Sequence, residues 1–243
     1  MKGPAIYIGT AGWSVPPAYA ADFPPDGTHL ARYAQRLTAA EINSSFYKPH
    51  QRKTYARWAD STPADFRFAV KLPKAMTHGQ KLADCGALLD VFAEQVTGLG
   101  GKLGVLLVQL PPSLRFAAAV ADRFFADLQS RIAAPVACEP RNASWFTPEM
   151  SDWLAARRIA RVAADPAKIK GAGEPGGWEG LVYYRWHGSP RIYYSDYDAA
   201  ALAGLEERLQ AARSRGAAAW AIFDNTAAGA ALGNALTLQP RRG

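Results

Sequence analysis

Charged and polar side chains close five apolar runs of this chain. Glu41 and Asn43 lie in EINSSFY, Lys71 ends FRFAVK, and Glu139 and Arg141 lie in ACEPR. Arg185 and His187 end LVYYRWH, and Asp224 and Asn225 follow WAIF. These residue types suit proton transfer on a captured anion. Glu41 and Glu139 can serve as an acid and base pair. Arg141 and Arg185 have the planar fork that grips a carboxylate or phosphate in two places. His187 can carry a proton near neutral pH. A lysine at a strand end suggests Schiff-base chemistry or a fixed charge. Between two carboxylates the charged form of Lys71 is favoured, so the expected role is electrostatic.

The same residues could simply neutralise one another, because an isolated buried charge is too costly to keep. Their collection at the C-terminal ends of the runs favours a site, since parallel α/β sheets aim their chemistry at that face. The expected catalytic set is therefore Glu41, Lys71, Glu139 and His187. The expected ligand contacts are Trp13, Asn43, Tyr47, Gln109, Arg141, Trp145, Arg185, Asp224 and Asn225.

No metal and no cofactor is expected. The chain has four histidines, His29, His50, His78 and His187, too few for a trinuclear zinc site. Glu41, Glu139, His187 and Asp224 could hold one divalent ion, but Lys71 in the same layer would repel it. Loop aromatics gather beside the charges: Trp13, Tyr19, Phe46, Tyr47, Trp145, Phe146, Tyr193, Tyr194 and Tyr197. About half are expected to pack the loops down. The rest could stack a sugar or base, and with interleaved arginines they also describe a single-stranded nucleic-acid groove. The leading expectation is an enzyme or binder for a small anion. The alternative is a nucleic-acid-binding or nucleic-acid-processing protein, separable by the steeper salt dependence of a multi-phosphate contact.

Positioning falls to strands alternating with helices. Strands are expected at Ile6–Gly9, Ala40–Ile42, Phe66–Lys71, the LGVLLVQL run, Val136–Glu139, Ile159–Ala164, Leu181–His187 and Ala218–Phe223. Helices are expected over 28–38, 51–60, 84–97, 117–130, 147–158, 199–215 and 227–236. Thr28 is a cap for the first, and Thr147-Pro148 opens the fifth. The stretch 171–180 reads as a loop. Eight strands in this alternation predict a single (β/α)8 TIM-type barrel over residues 1–238, with a short basic tail at 239–243. A doubly wound sheet would carry a glycine-rich phosphate loop after its first strand, and GTAGWS fits neither common form.

Alternation also assigns faces. Phe66, Phe68 and Val70 turn to the helices, which sends Lys71 to the barrel axis. Val136 and Cys138 turn out, so Glu139 and then Arg141 turn in. Val182, Tyr184 and Trp186 turn out, and Arg185 and His187 turn in. Ile42 turns out, and Glu41 and Asn43 turn in. Gln109 joins the same layer. Parity leaves open whether Asp224 or Asn225 points inward, and Asp165 is a weaker member.

Bulk properties agree with a buried core: 243 residues, 49% hydrophobic, formal net charge +7. The excess charge is spread through helices rather than run together, which argues for solvated surface. No apolar run spans a bilayer, and MKGPAIYIGT lacks the apolar segment of a secretory signal. Two cysteines are too few for a disulfide framework. A cytoplasmic protein with free thiols and no membrane partner is expected.

EINSSFY, VKLPKAMTH, VQLPPS, CEPRNASW, YRWHG and FDNTAAGAALGNA occur in this order. Together they resemble the DUF72, or YecE-like, family from about Ile6 to Leu238. The resemblance implies a TIM-type barrel and brings no established activity. It implies that Gly9, Thr10, Gly12, Trp13, Glu41, Asn43, Phe46, Tyr47, Lys71 and His78 are motif residues. Gln109, Glu139, Arg141, Ser144, Trp145, Arg185, His187, Gly188, Asn225 and Ala230 follow. The chain departs from the family's usual pattern at Pro140, at Asn142 in place of a common His, and at Asp224 in place of an Asn.

Overall fold

The computed structural model describes residues 5–239. Its strands are β1 (Ile6–Ala11), β2 (Ala39–Ile42), β3 (Arg67–Lys71), β4 (Leu103–Gln109), β5 (Val136–Glu139), β6 (Ile159–Arg161), β7 (Ala163–Asp165), β8 (Gly176–Gly177), β9 (Leu181–Trp186) and β10 (Ala218–Phe223). The α-helices are α1 (His29–Ala34), α2 (Arg52–Asp60), α3 (Gly86–Val96), α4 (Ala118–Arg131), α5 (Pro148–Ala156), α6 (Ala199–Ser214) and α7 (Ala230–Leu238). The strands form one sheet in the order β7-β9-β10-β1-β2-β3-β4-β5-β6-β8. Every pairing is parallel except that of β6 with β8. Val162 alone separates β6, which pairs β5, from β7, which pairs β9. The chain itself thus joins the two ends of the sheet, and the result is a single TIM-type barrel.

The expected sixth strand is therefore two. β8 occupies the free edge of β6, pairing Ala160 with Gly177 and Arg161 with Gly176. β9 can then pair only with the segment beyond Val162. No α-helix covers the 166–180 crossing that leads to β9. The first helix stops at Ala34 rather than running to 38, because Thr38 Oγ1 accepts a 2.8 Å bond from Ile8 N and draws the chain into the sheet. The last helix starts at Ala230 rather than 227, after Gly229 at φ +82°. Thr28, Thr147 and Asp198 cap α1, α5 and α6 by accepting from backbone N–H groups three residues on. The tail expected at 239–243 lies, beyond Gln239, outside the described residues.

The core has two layers, as alternation requires. Phe66, Phe68, Val70, Val136, Cys138, Val182, Tyr184 and Trp186 pack between sheet and helices. Ala39, Ala69, Val105, Leu107, Ala137, Ala160, Val162, Leu181, Tyr183, Trp220 and Ile222 fill the barrel. Small side chains there make room for large ones. A Cβ at Gly104 would fall 2.6 Å from the Trp220 ring. Cys85 and Cys138 are free and buried, and burial pushes both thiols upward in pKa. Among the described residues no helix is long and apolar enough to cross a membrane.

Candidate active site at the barrel mouth

Alternation carries the polar side chains onto the top of this packed interior. Ala39, Ala69, Ala137, Tyr183 and Ile222 face the axis. Glu41, Lys71, Glu139, Arg185 and Asp224, each two residues further along the chain, face it at the C-terminal ends. The strand pairings hold these ends at one rim, with Glu41 beside Ala11 and Gln109 beside Glu139.

Arg185 is the centre of the cluster and is 1% exposed. Its Nε donates to both oxygens of Glu41, at 3.1 and 3.0 Å, and Nη2 donates to Glu41 Oε1 at 2.8 Å. Nη2 also donates to Asp224 Oδ2 at 2.8 Å. Nη1 donates to Glu139 Oε2 at 3.1 Å and Gln109 Oε1 at 3.4 Å. All five N–H groups are thereby engaged. Burial favours loss of the Arg185 proton, but Glu41, Asp224 and Glu139 together hold its pKa well above the ordinary arginine value. Arg185 was expected to grip a ligand; in this geometry it has no donor left for one.

Glu139 bridges this buried centre and the surface. Its Oε1 accepts from Arg141 Nε at 3.0 Å and Nη2 at 2.8 Å. Burial alone would raise its pKa, but Arg185, His187 and Arg141 hold it well below the usual carboxylate range. His187 Nδ1 lies 3.1 Å from Asp224 Oδ2, while Nε2 lies 3.3 Å from Arg185 Nη1 and 3.6 Å from Glu139 Oε1. Burial and the Arg185 charge push the imidazole pKa down. Hydrogen bonds to Asp224 and Glu139 outweigh them, and the net shift is upward. A neutral ring can accept at Nε2 from Arg185, and a protonated one must donate there, toward Glu139.

Lys71 departs from the electrostatic expectation. It is 6% exposed, yet no carboxylate among the described residues lies within ion-pair distance of Nζ, because Arg185 has taken them. Nζ instead sits 4.0 Å from the centre of the Phe46 ring. Burial and the Arg185 charge lower its pKa to about 8, against the partial opposition of Glu41, Glu139 and Asp224. Its charged form is disfavoured where alternation alone predicted it favoured.

A cavity of about 530 Å³ opens beside the cluster, and Glu139, Arg141, His187 and Lys168 form its polar wall. Pro112, Ile169, Ile192 and Tyr193 supply apolar wall. Arg141 spends Nε and Nη2 on Glu139, and its Nη1 has no hydrogen bond to the described residues. Among the described residues no group of three or more His, Cys, Asp or Glu is arranged to hold a metal.

The other expected contacts divide. Asp224 points inward, whereas Asn225 is turned away, its Nδ2 donating to Ser195 O and Asn234 Oδ1. Trp145 is 1% exposed, donates to Leu114 O, and packs on Phe116 and Trp153, so it is core. Trp13 packs edge-on against Trp58. Asn43 is half-buried, with Oδ1 lacking a partner. Tyr47 is 79% exposed. Asp165 accepts from the Tyr197 hydroxyl at 2.7 Å. Tyr183 was missed: its hydroxyl donates to Glu41 Oε2 at 2.8 Å. The alternation that turns Arg185 inward also turns Tyr183, so the signal was present. Lys168 comes from a loop, where no periodicity could place it, whereas Tyr193 is one of the loop aromatics expected beside the charges.

The family model described as "Protein of unknown function DUF72" matches residues 7–243. The chain is 31% identical over 106 residues to the UPF0759 protein YecE of Escherichia coli K12, a match covering 44% of this chain and 38% of that one. It is 29% identical over 154 residues to the UPF0759 protein YunF of Bacillus subtilis 168, covering 59% and 53%. The matched stretch is thus about half or less of either relative's length. Among solved structures, a DUF72 family protein of Enterococcus faecalis superposes with a TM-score of 0.78 at 22% identity, covering 96% of this chain and 94% of that one. One from Thermotoga maritima gives 0.76 at 24%, covering 96% and 97%. Those likenesses establish the barrel, and with a family model matched over nearly the whole sequence, the chain belongs to the DUF72 family.

Proposed function

We propose that the protein binds a small phosphate- or carboxylate-bearing ligand in the mouth cavity and acts on it without a metal. Arg141 grips the anion through its free Nη1, Lys168 adds charge, and His187 with Glu139 moves the proton. The observation that carries this reading is the shared wall: the half-exposed arginine, the histidine and the carboxylate all line one cavity of about 530 Å³, a size suited to a small molecule. Arg185 serves as scaffold, fixing Glu41, Glu139 and Asp224. A metal would have to displace it from all three, which argues for chemistry by side chains alone. Lys71, with its pKa lowered to about 8, supplies a charge that an incoming anion would strengthen.

A panel of phosphate- and carboxylate-bearing small molecules, titrated calorimetrically into the native protein and Arg141→Gln, tests this. At least one should bind saturably, and Arg141→Gln should weaken it about tenfold or more, since a charged hydrogen bond contributes about 1.5–3 kcal/mol. No binding, or equal binding to both proteins, refutes the reading.

Exposed aromatics favour one second reading. Tyr47, Tyr193 and Tyr194 are 79%, 44% and 47% exposed, and the Arg191 guanidinium sits over Tyr194. Such surfaces stack single-stranded bases. That reading requires an oligonucleotide affinity that falls steeply with salt and drops in Tyr47→Ala. An affinity nearly independent of salt excludes it.

A further inference from the structure

Arg161 occupies a position that ought to be apolar. Alternation along β6 turns Ile159 to the helix layer, Ala160 to the barrel interior and Arg161 to the helix layer again. Equivalent outward positions on neighbouring strands hold Val136, Cys138 and Val182. Arg161 is 8% exposed, yet no carboxylate among the described residues lies within ion-pair distance. Nη1 donates to Ser151 Oγ at 3.0 Å, the guanidinium lies 5.1 Å from the Phe146 ring centre, and Nε is buried with no partner. A buried charge with one neutral partner is an unfinished arrangement.

The surroundings are shaped to keep the guanidinium there. β8 runs beside it with Gly176 opposite Arg161, and a Cβ on Gly176 would fall 2.6 Å from Nη2. A side chain at 176 would push the guanidinium out of its present place. Because no helix covers the 166–180 crossing, the side chain borders an open groove of about 950 Å³ between α5 and α6. Arg208 of α6 and Arg215 just after its end line the same groove, as does the Trp178 indole. Asp152, Glu174 and Glu179 line it too, so the groove carries both signs of charge and could neutralise itself.

We propose that this groove is a second ligand site, separate from the barrel mouth, in which Arg161 anchors an anionic group, phosphate or carboxylate. Arg208 and Arg215 add charge around the anion, and Trp178 offers a flat apolar wall to the body that bears it. The proposal does not depend on any chemistry at the mouth.

The test follows the Arg161 Nε–H resonance by NMR while inorganic phosphate or acetate is added to the folded protein. A saturable shift with phosphate supports the site and assigns it to phosphoryl groups; a shift with acetate alone supports it and assigns carboxylates. The response should persist in Arg141→Gln, which alters only the mouth. It should weaken about threefold or more in Arg208→Gln, an exposed helix substitution that leaves folding intact whether or not Arg161→Gln folds. If neither anion moves the resonance while Asp152→Asn or Glu174→Gln does, Arg161 is neutralised from within the groove and the proposal is overturned.

Discussion

Arg185 and Glu41 meet through three N–H···O contacts of 2.8–3.1 Å, with the arginine side chain 1% exposed and the carboxylate fully buried. The same arginine binds Glu139 and Asp224, so one cation holds three carboxylates in place at the top of the barrel. A pair this deep is worth little relative to an apolar replacement of both partners, but breaking it from one side strands a charge.

Arg185→Met should therefore destabilise the fold by about 3–5 kcal/mol or more, as removing one partner of a buried pair does. Glu41→Gln should cost less than Arg185→Met, because Glu139 and Asp224 still neutralise the arginine. Urea unfolding of the two variants beside the native protein measures the order. Equal and small losses would mean that the cluster does not organise the mouth.

Lys71→Met should cost little stability or raise it, since no carboxylate stands within ion-pair distance of Nζ, and should weaken anion binding at the mouth. The pH dependence has a definite sign. Below about pH 8 the lysine is protonated folded and unfolded, and the folded state bears the full cost of the buried charge. Between about 8 and the ordinary lysine value the folded state has released the proton and the unfolded chain has not, so stability rises with pH. Native stability should thus gain on Lys71→Met across that window in urea titrations. A large loss of stability in the variant at pH 7 would show that Lys71 is a structural counter-charge.

His187 works in the opposite direction. Its folded pKa is raised, so its contribution is complete below about 6.5 and is lost as pH rises through the folded value. Glu139 and Asp224 are depressed, so theirs is present above their unfolded values and lost as pH falls through the folded ones. Chemical denaturation from pH 5 to 8 should show a downward slope in the native protein that flattens in His187→Gln. An unchanged slope would place the titrating group elsewhere.

Much of this architecture is legible in the sequence because alternation is a strict rule. It turns Lys71, Glu139, Arg185 and His187 to one face from the apolar partners Val70, Cys138, Tyr184 and Trp186 alone. It fails where local geometry breaks the rule: β6 and β7 form two strands because β8 takes an edge that no periodicity reveals. Partner choice is harder still. Which cation neutralises Glu41 depends on reach across the barrel, and Arg185 reaches where Lys71 does not. Trp145 matched a motif shared with a family, yet packs as core, because a motif does not distinguish a residue that holds the site from one that touches the ligand. Lys168 reaches the cavity from a loop whose course is set only by tertiary packing.

The most direct test of the mouth as an anion site is the ring-nitrogen spectrum of His187 during addition of inorganic phosphate at pH 7. The geometry predicts a saturable shift in the native protein, toward the protonated form as the anion arrives beside Glu139, and little or no shift in Arg141→Gln. A His187 spectrum unmoved by phosphate, and equally by acetate, would contradict anion binding in the cavity.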